Sequence, residues 1–238
     1  MEFKLSGHDT NKISGPEFSK KDSGVEFENY TAISRDCLAT KVPKCFGWKH
    51  SRLYLENLLE NFKPICAVDV KLGFKSYWDD DTAISKKFEL VDGSFLTEEE
   101  KETKTLTKCR QMEWADLSTT TRKYGMRVCG LLFPGGIQRP RPKTFDDVCL
   151  TFNSFKVLPK PTIKKIIDQL RDLIATLYKS KFFRNNKFVG VSVFILANRD
   201  KVIVKLIDFG KVRAQKNANN LGVIFGLESL IYVLNRLC

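Results

Sequence analysis

No apolar run in the 238 residues is long enough to span a bilayer, so no membrane insertion is expected. The opening residues, "MEFKLSGHDT", lack the apolar segment of a secretory signal. Histidine occurs only at His8 and His50, which leaves no Ser–His–acid set and argues against histidine-rich zinc chemistry. The seven cysteines are scattered, with no CxxC and no Cys/His metal spacing. An odd count without a secretion signal reads as free thiols in a reducing compartment. The cytoplasm is the expected location, with the nucleus as a second one. Neither a Walker A glycine loop nor an HRD-type catalytic loop is present, which excludes P-loop enzymes and ordinary protein kinases.

Positive charge is abundant. Forty Lys and Arg face 28 Asp and Glu, a formal net charge of +12 that points to an anionic partner. Nucleic acid is one candidate, but no zinc finger, glycine-arginine tract or RNA-reading aromatic motif accompanies the charge, so nucleic acid is not expected. A small, highly phosphorylated molecule would also want many lysines. The length suits one large domain or two small lobes sharing a cleft.

Patterning favours the second arrangement. Residues 1–56 read as a small N-terminal part and 57–238 as a larger one, together an α+β fold with a cleft suited to a nucleotide. "RLYLE" (52–56) reads as a strand. So does "PICAVDVKLG" (64–73), ended by Gly73, in which Asp69 and Lys71 share one face and Val68, Val70 and Leu72 the other. That pair is either a surface ion pair on an edge strand, worth little, or an acid and a base meeting a ligand. Thr97 caps an expected helix over about 98–112, which puts Lys101, Lys104, Thr105 and Lys108 on one face. Such a face is either solvated surface or a clamp for a polyanion. "PTIKKIIDQLRDLIATLYKSKFF" (161–183) is the strongest helix, with an apolar stripe of Ile163, Ile166, Ile167, Leu170, Ile174 and Leu177. Two apolar strands flanking "NRD" form a hairpin that carries Asp208 of "VKLIDFG" to its end. A strand-end carboxylate before a glycine is the best metal candidate in the chain, because magnesium wants hard oxygen ligands.

In order along the chain, these pieces resemble the inositol polyphosphate kinase family, most of all its inositol hexakisphosphate kinases, with the inositol polyphosphate multikinase next. "PICAVDVKLG" resembles the signature PxxxDxKxG, with the proline five residues before Asp69 instead of four. "LENL" (55–58) resembles the inter-lobe hinge, "EEKETKTLTKC" (99–109) the substrate-side helix, and "GMRVCG" (125–130) a strand of hexakisphosphate kinases. "SVFIL" (192–196), "LIDFG" (206–210), "FGLESLI" (225–231) and "SGHD" (6–9) resemble further family elements.

The resemblance implies a two-lobed kinase-like fold with the nucleotide cleft between the lobes. It implies ATP and Mg²⁺ as cofactors, an inositol polyphosphate as substrate and a monomeric enzyme. Glu56 and Leu58 would offer backbone groups to adenine, and Asp69 would hold the ribose hydroxyls. Lys20 or Lys21 would meet the ATP phosphates, Lys71 would face the reacting phosphate, and Asp208 would hold Mg²⁺ with Ser192 in support. Lys101, Lys104, Lys108 and Lys211 would grip substrate phosphates. Gly210 and Lys211 stand where the family usually has alanine and histidine. Hexakisphosphate is the expected acceptor, giving a diphosphoinositol phosphate. Lower inositol phosphates, a non-catalytic inositol phosphate binder and a nucleic-acid module are the alternatives.

Overall fold

The structure, a computed structural model, describes residues 12–238; "SGHD" lies outside them. A hairpin of β1 (Lys12–Ser14) and β2 (Glu17–Lys21) leads into α1 (Val25–Ile33). Then β3 (Cys45–Lys49) and β4 (Arg52–Glu56) complete an antiparallel sheet in the order β1-β2-β4-β3. Residues 57–65 carry the chain to β5 (Cys66–Leu72). There follow α2 (Glu98–Thr103), α3 (Lys108–Leu117), α4 (Thr121–Tyr124), β6 (Met126–Phe133), β7 (Gly136–Gln138) and α5 (Phe145–Phe152). The long α6 (Lys160–Lys179) precedes α7 (Lys181–Asn185) and β8 (Asn186–Lys187). The chain closes with β9 (Ser192–Ala197), β10 (Val202–Ile207), β11 (Arg213–Ala214) and α8 (Leu221–Asn235). The second large sheet runs β10-β9-β5-β6-β7.

β5 is therefore the middle strand of five, not an edge strand. Val68, Val70 and Leu72 enter the main core beneath α6 and α8. Ala67, on the opposite face, packs with Phe62 and Leu196, so the 57–65 connector covers that side of the sheet. Pro64 lies before the strand begins, so its one-residue offset does not disturb the register of Asp69 and Lys71. Gly73 leaves the strand at φ 101°, a conformation that favours glycine, and donates its N–H to the Gly125 carbonyl at 2.8 Å.

The α6 stripe buries Ile163, Ile166, Ile167, Leu170, Leu173 and Leu177; Ile174 is only partly covered. Ser180 ends the helix and caps α7, accepting from Phe183 N–H. On the same side of the sheet, beside α6, α8 comes so close that a Cβ on Gly226 would lie 2.0 Å from the Gly125 carbonyl oxygen.

The single helix expected over 98–112 is two helices. Lys104 takes a left-handed φ of 48° and stops α2, and Thr107 caps α3 by accepting from Arg110 N–H. The break has a packing cause. Leu106 is buried, its carbonyl accepts from Ser85 N–H at 2.7 Å, and Lys108 N–H donates to the Ala83 carbonyl at 2.7 Å. Pairing with residues 83–85 removes these backbone groups from any continuous helix.

A buried polar knot ties this region to the sheet. Asp116, wholly buried, accepts from Arg127 of β6, from Ser76 N–H and from Ser76 Oγ, each at 2.7 Å. Removing one partner of such a knot strands the other charge in the interior. Asp116→Ala is expected to lower unfolding stability by about 3–5 kcal/mol, measured by urea titration. A loss under 1 kcal/mol would mean that Arg127 finds water.

Candidate active site

In β2, Phe18 packs against the core, and Lys20, two residues on, shares its face. Lys21 points away and is exposed, so the strand pleat selects Lys20. Its Nζ lies 2.9 Å from Glu26 Oε1 and 2.9 Å from Asp208 Oδ1. Glu26 sits in the first turn of α1, and its Oε1 also accepts from Phe209 N–H at 3.0 Å. Asp208 follows β10 with φ 68°, a strained setting for a non-glycine residue and one typical of functional positions. Phe209 behind it meets Tyr30 of α1 edge to face at 5.2 Å.

One ammonium thus joins two carboxylates from distant parts of the chain. Burial alone would discourage the Lys20 charge, but Asp208 and Glu26 outweigh it and raise its pKa. Burial pushes the Glu26 carboxyl upward; Lys20 pulls it back, Asp208 pushes it up again, and the net direction is upward. Sequence reading missed Glu26. Its only signal was an acid in the first turn of a short helix just after a lysine-bearing strand.

The face of the second sheet turned away from the main core adds more. Asp69 stands opposite Phe194 of β9, and Lys71 opposite Ser192. Asp69 is only 2% exposed. Ser192 is fully buried, pairs with Ile207 next to Asp208, and its Oγ has no hydrogen-bond partner among the described residues. A bulge in the ladder to β6 falls beside Asp69, a common device next to functional side chains. At the end of β4, Glu56 N–H is committed to the Lys44 carbonyl at 2.8 Å, so it is not available as a donor to a ligand. Leu58 packs on the small apolar cluster below that face.

A second cationic group lies past Lys71. Lys71 Nζ donates to the Gly190 carbonyl at 2.7 Å, and a Cβ on Gly190 would lie 3.4 Å from Lys211 Cδ. Burial lowers the Lys211 pKa; Asp81 opposes this, while Lys71 and Lys108 deepen it. Lys71 and Lys211 thus meet at Gly190, and the start of α3, which carries Lys108, is hydrogen-bonded to the Asp81–Ala83 segment whose Asp81 pairs with Lys211. Lys101 and Lys104 do not share a helix face with Lys108. Lys101 is 43% exposed and paired with Glu98 at 2.6 Å, and Lys104 is the turn that ends α2. Gly210 lies over Glu26, where an added Cβ would meet Oε2 at 3.4 Å, ordinary contact, so the exchange of alanine for glycine is sterically mild.

The model of the inositol polyphosphate kinase family matches residues 52–235. The chain belongs to the inositol polyphosphate kinase family. Within it, the chain is 27% identical over 250 residues to inositol-trisphosphate 3-kinase A of Rattus norvegicus, covering 92% of this chain and 54% of that protein. It is 24% identical over 210 residues to the inositol-trisphosphate 3-kinase homolog of Caenorhabditis elegans, covering 77% and 42%. The chain thus spans about half the length of these curated relatives. In fold it is similar to the crystal structure of inositol phosphate multikinase Ipk2 from S. cerevisiae in complex with ADP and Mn²⁺. The TM-score is 0.68 at 18% identity, with 93% of this chain and 99% of that chain covered. The two-lobed α+β kinase-like fold is shared across the family members compared.

Lys20→Met would leave the Glu26 and Asp208 carboxylates facing each other without their cation. The expected loss is about 3 kcal/mol at neutral pH, at the low end for a broken buried pair because Asp208 still meets solvent. Glu26 has a folded pKa above its unfolded one, so the penalty is full above the folded pKa and fades as pH falls toward the ordinary carboxylate range. Urea unfolding at pH 7 and pH 5 checks this. A deficit that grows on acidification would contradict the assignment.

Proposed function

We propose that the chain is an ATP-dependent kinase that transfers the γ-phosphoryl group to an inositol phosphate. The observation that carries the reading is one row across the second sheet: Lys71 pairs with Ser192 and Ser192 with Ile207, which precedes Asp208. The Lys20–Asp208 pair lies at one end of it and the Lys71–Lys108–Lys211 cluster at the other. The first suits nucleotide phosphates with a metal and the second a polyanionic acceptor. The boundary between the lobes is put at Glu56, with the Glu56 carbonyl and the Leu58 N–H meeting adenine and Asp69 holding the ribose.

The donor set fits magnesium. Among the described residues no three His, Cys, Asp or Glu side chains gather as a metal cage. Mg²⁺ needs none, since it takes one or two carboxylates and leaves its other positions to phosphate and water. Asp208 would hold it, with the unpartnered Ser192 Oγ beside that strand end. The metal, when bound, would offset negative charge on the donor phosphates. The chain's own part is positioning and charge neutralisation, the main demand of phosphoryl transfer. Lys20 binds donor oxygens, and Lys71 lies between donor and acceptor. Lys108 and Lys211 orient the acceptor. With Asp69 on the ribose, no side chain is assigned as general base.

A lower inositol phosphate, accepting on a ring hydroxyl, is the proposed substrate. Two segments lean toward hexakisphosphate by resemblance, "EEKETKTLTKC", which is broken at Lys104, and "GMRVCG", whose Arg127 is committed to Asp116. The names of the relatives, trisphosphate 3-kinase and multikinase, support the same choice.

Incubation with ATP and Mg²⁺ plus separate tris-, tetrakis- and hexakisphosphates tests the proposal, with products resolved by ion exchange. Turnover of the lower phosphates is expected. Sole turnover of hexakisphosphate would overturn the substrate choice, and no turnover of any would overturn the enzyme reading. Asp208→Asn is expected to lower kcat by about a hundredfold or more while its circular dichroism stays unchanged. Full activity in that variant would remove Asp208 from the metal role.

A further inference from the structure

The polar segment after Gly73 contains "DDD", and each of its acids takes a cation. Asp79 pairs with Lys75 at 2.7 Å, Asp80 with Arg213 at 2.7 Å, and Asp81 with Lys211 at 3.5 Å. Trp78 fastens the same segment to the strand after Asp208. Its Nε1 donates to the Lys211 carbonyl at 2.7 Å, and the Arg213 guanidinium lies 4.4 Å from its ring centre. The Asp81 carbonyl accepts from Cys109 N–H at 3.3 Å, beside Lys108. Of the three acids, only Asp81 reaches a lysine of the acceptor cluster. It does so beside Gly190, where Lys71 also ends, and next to the start of α3, which carries Lys108.

We infer that the Asp81 carboxylate is an internal competitor for the acceptor's phosphate, holding Lys211 until a ligand with enough negative charge displaces it. The inference rests on the acceptor assignment proposed above and names the residue that sets its charge threshold. Three clustered ammonium groups repel one another, and a carboxylate at 3.5 Å relieves that repulsion without a ligand. Once phosphates arrive, the same carboxylate repels them. A singly charged anion gains too little from Lys211 to offset the lost ion pair, whereas a ligand that also engages Lys71 and Lys108 gains more than it loses. Discrimination by phosphate number then comes from a repulsive element as much as from the lysines.

Asp81→Asn keeps the shape and removes the charge. Calorimetric titration of wild type, Asp81→Asn and Asp80→Asn with inositol trisphosphate, inorganic tripolyphosphate and ATP tests the inference. Asp81→Asn is expected to bind both inositol trisphosphate and tripolyphosphate about fivefold more tightly, with a steeper salt dependence and unchanged ATP affinity. Asp80→Asn, which loosens the same segment without touching the cluster, is expected to match wild type. Unchanged or weaker anion binding in Asp81→Asn would overturn the inference and make Asp81 a strut for Lys211. Equal tightening in Asp80→Asn would assign the effect to segment mobility and also overturn it. If tripolyphosphate shows the effect and inositol trisphosphate binds neither protein, the competitor role stands and the acceptor reading falls. If inositol trisphosphate is phosphorylated and Asp81→Asn binds it as wild type does, the reverse holds.

Discussion

The site depends on a single ammonium group. Lys20 joins Glu26 of α1 to Asp208 after β10, and so ties the small sheet, its helix and the end of the large sheet to one point. Without it, two carboxylates would meet in a poorly hydrated place, and each would drive the other toward its neutral form. With it, both remain near one cation and Asp208 is held at a backbone angle it would otherwise avoid. The aromatic contact of Tyr30 on Phe209 secures the same junction from behind, and the core runs without a break from α1 to α8. The two lobes therefore differ in their sheets but not in their core.

The second constraint is the pleat of β5. A period of two puts its valines and leucine into the core and leaves Asp69 and Lys71 on the other face. A central strand cannot shift register without turning every one of those valines toward solvent, so the acid and the base are held by the hydrophobic pattern beneath them. Their partners on β9 are equally determined, and Ser192 arrives beside Lys71 because Val193 and Ile195 must point inward.

Charge is then sorted by distance. One carboxylate pair surrounds Lys20, and one carboxylate meets the three-lysine cluster. Most of the chain's excess positive charge lies elsewhere on the surface. The net charge of +12 therefore said only that an anion was welcome, and the acceptor site proposed for it draws on three of the forty basic residues.

Period and punctuation determined much of this protein from the sequence alone. The alternation around Asp69, the hairpin that delivers Asp208, the stripe of α6 and the positive φ of Gly73 are local consequences of residue type, and all were legible. What only the tertiary structure decided involves residues far apart in the chain. Lys20 and Asp208 are 188 positions apart, so no local pattern could show that the two meet or reveal Glu26 as their common partner. The break at Lys104 is of the same kind. Helical spacing allowed Lys101, Lys104 and Lys108 one face, but the pairing of 106–108 with 83–85 took the backbone hydrogen bonds that a continuous helix needs. Local propensity sets what a segment can become, and competition for the same backbone and charged groups by distant segments sets what it is.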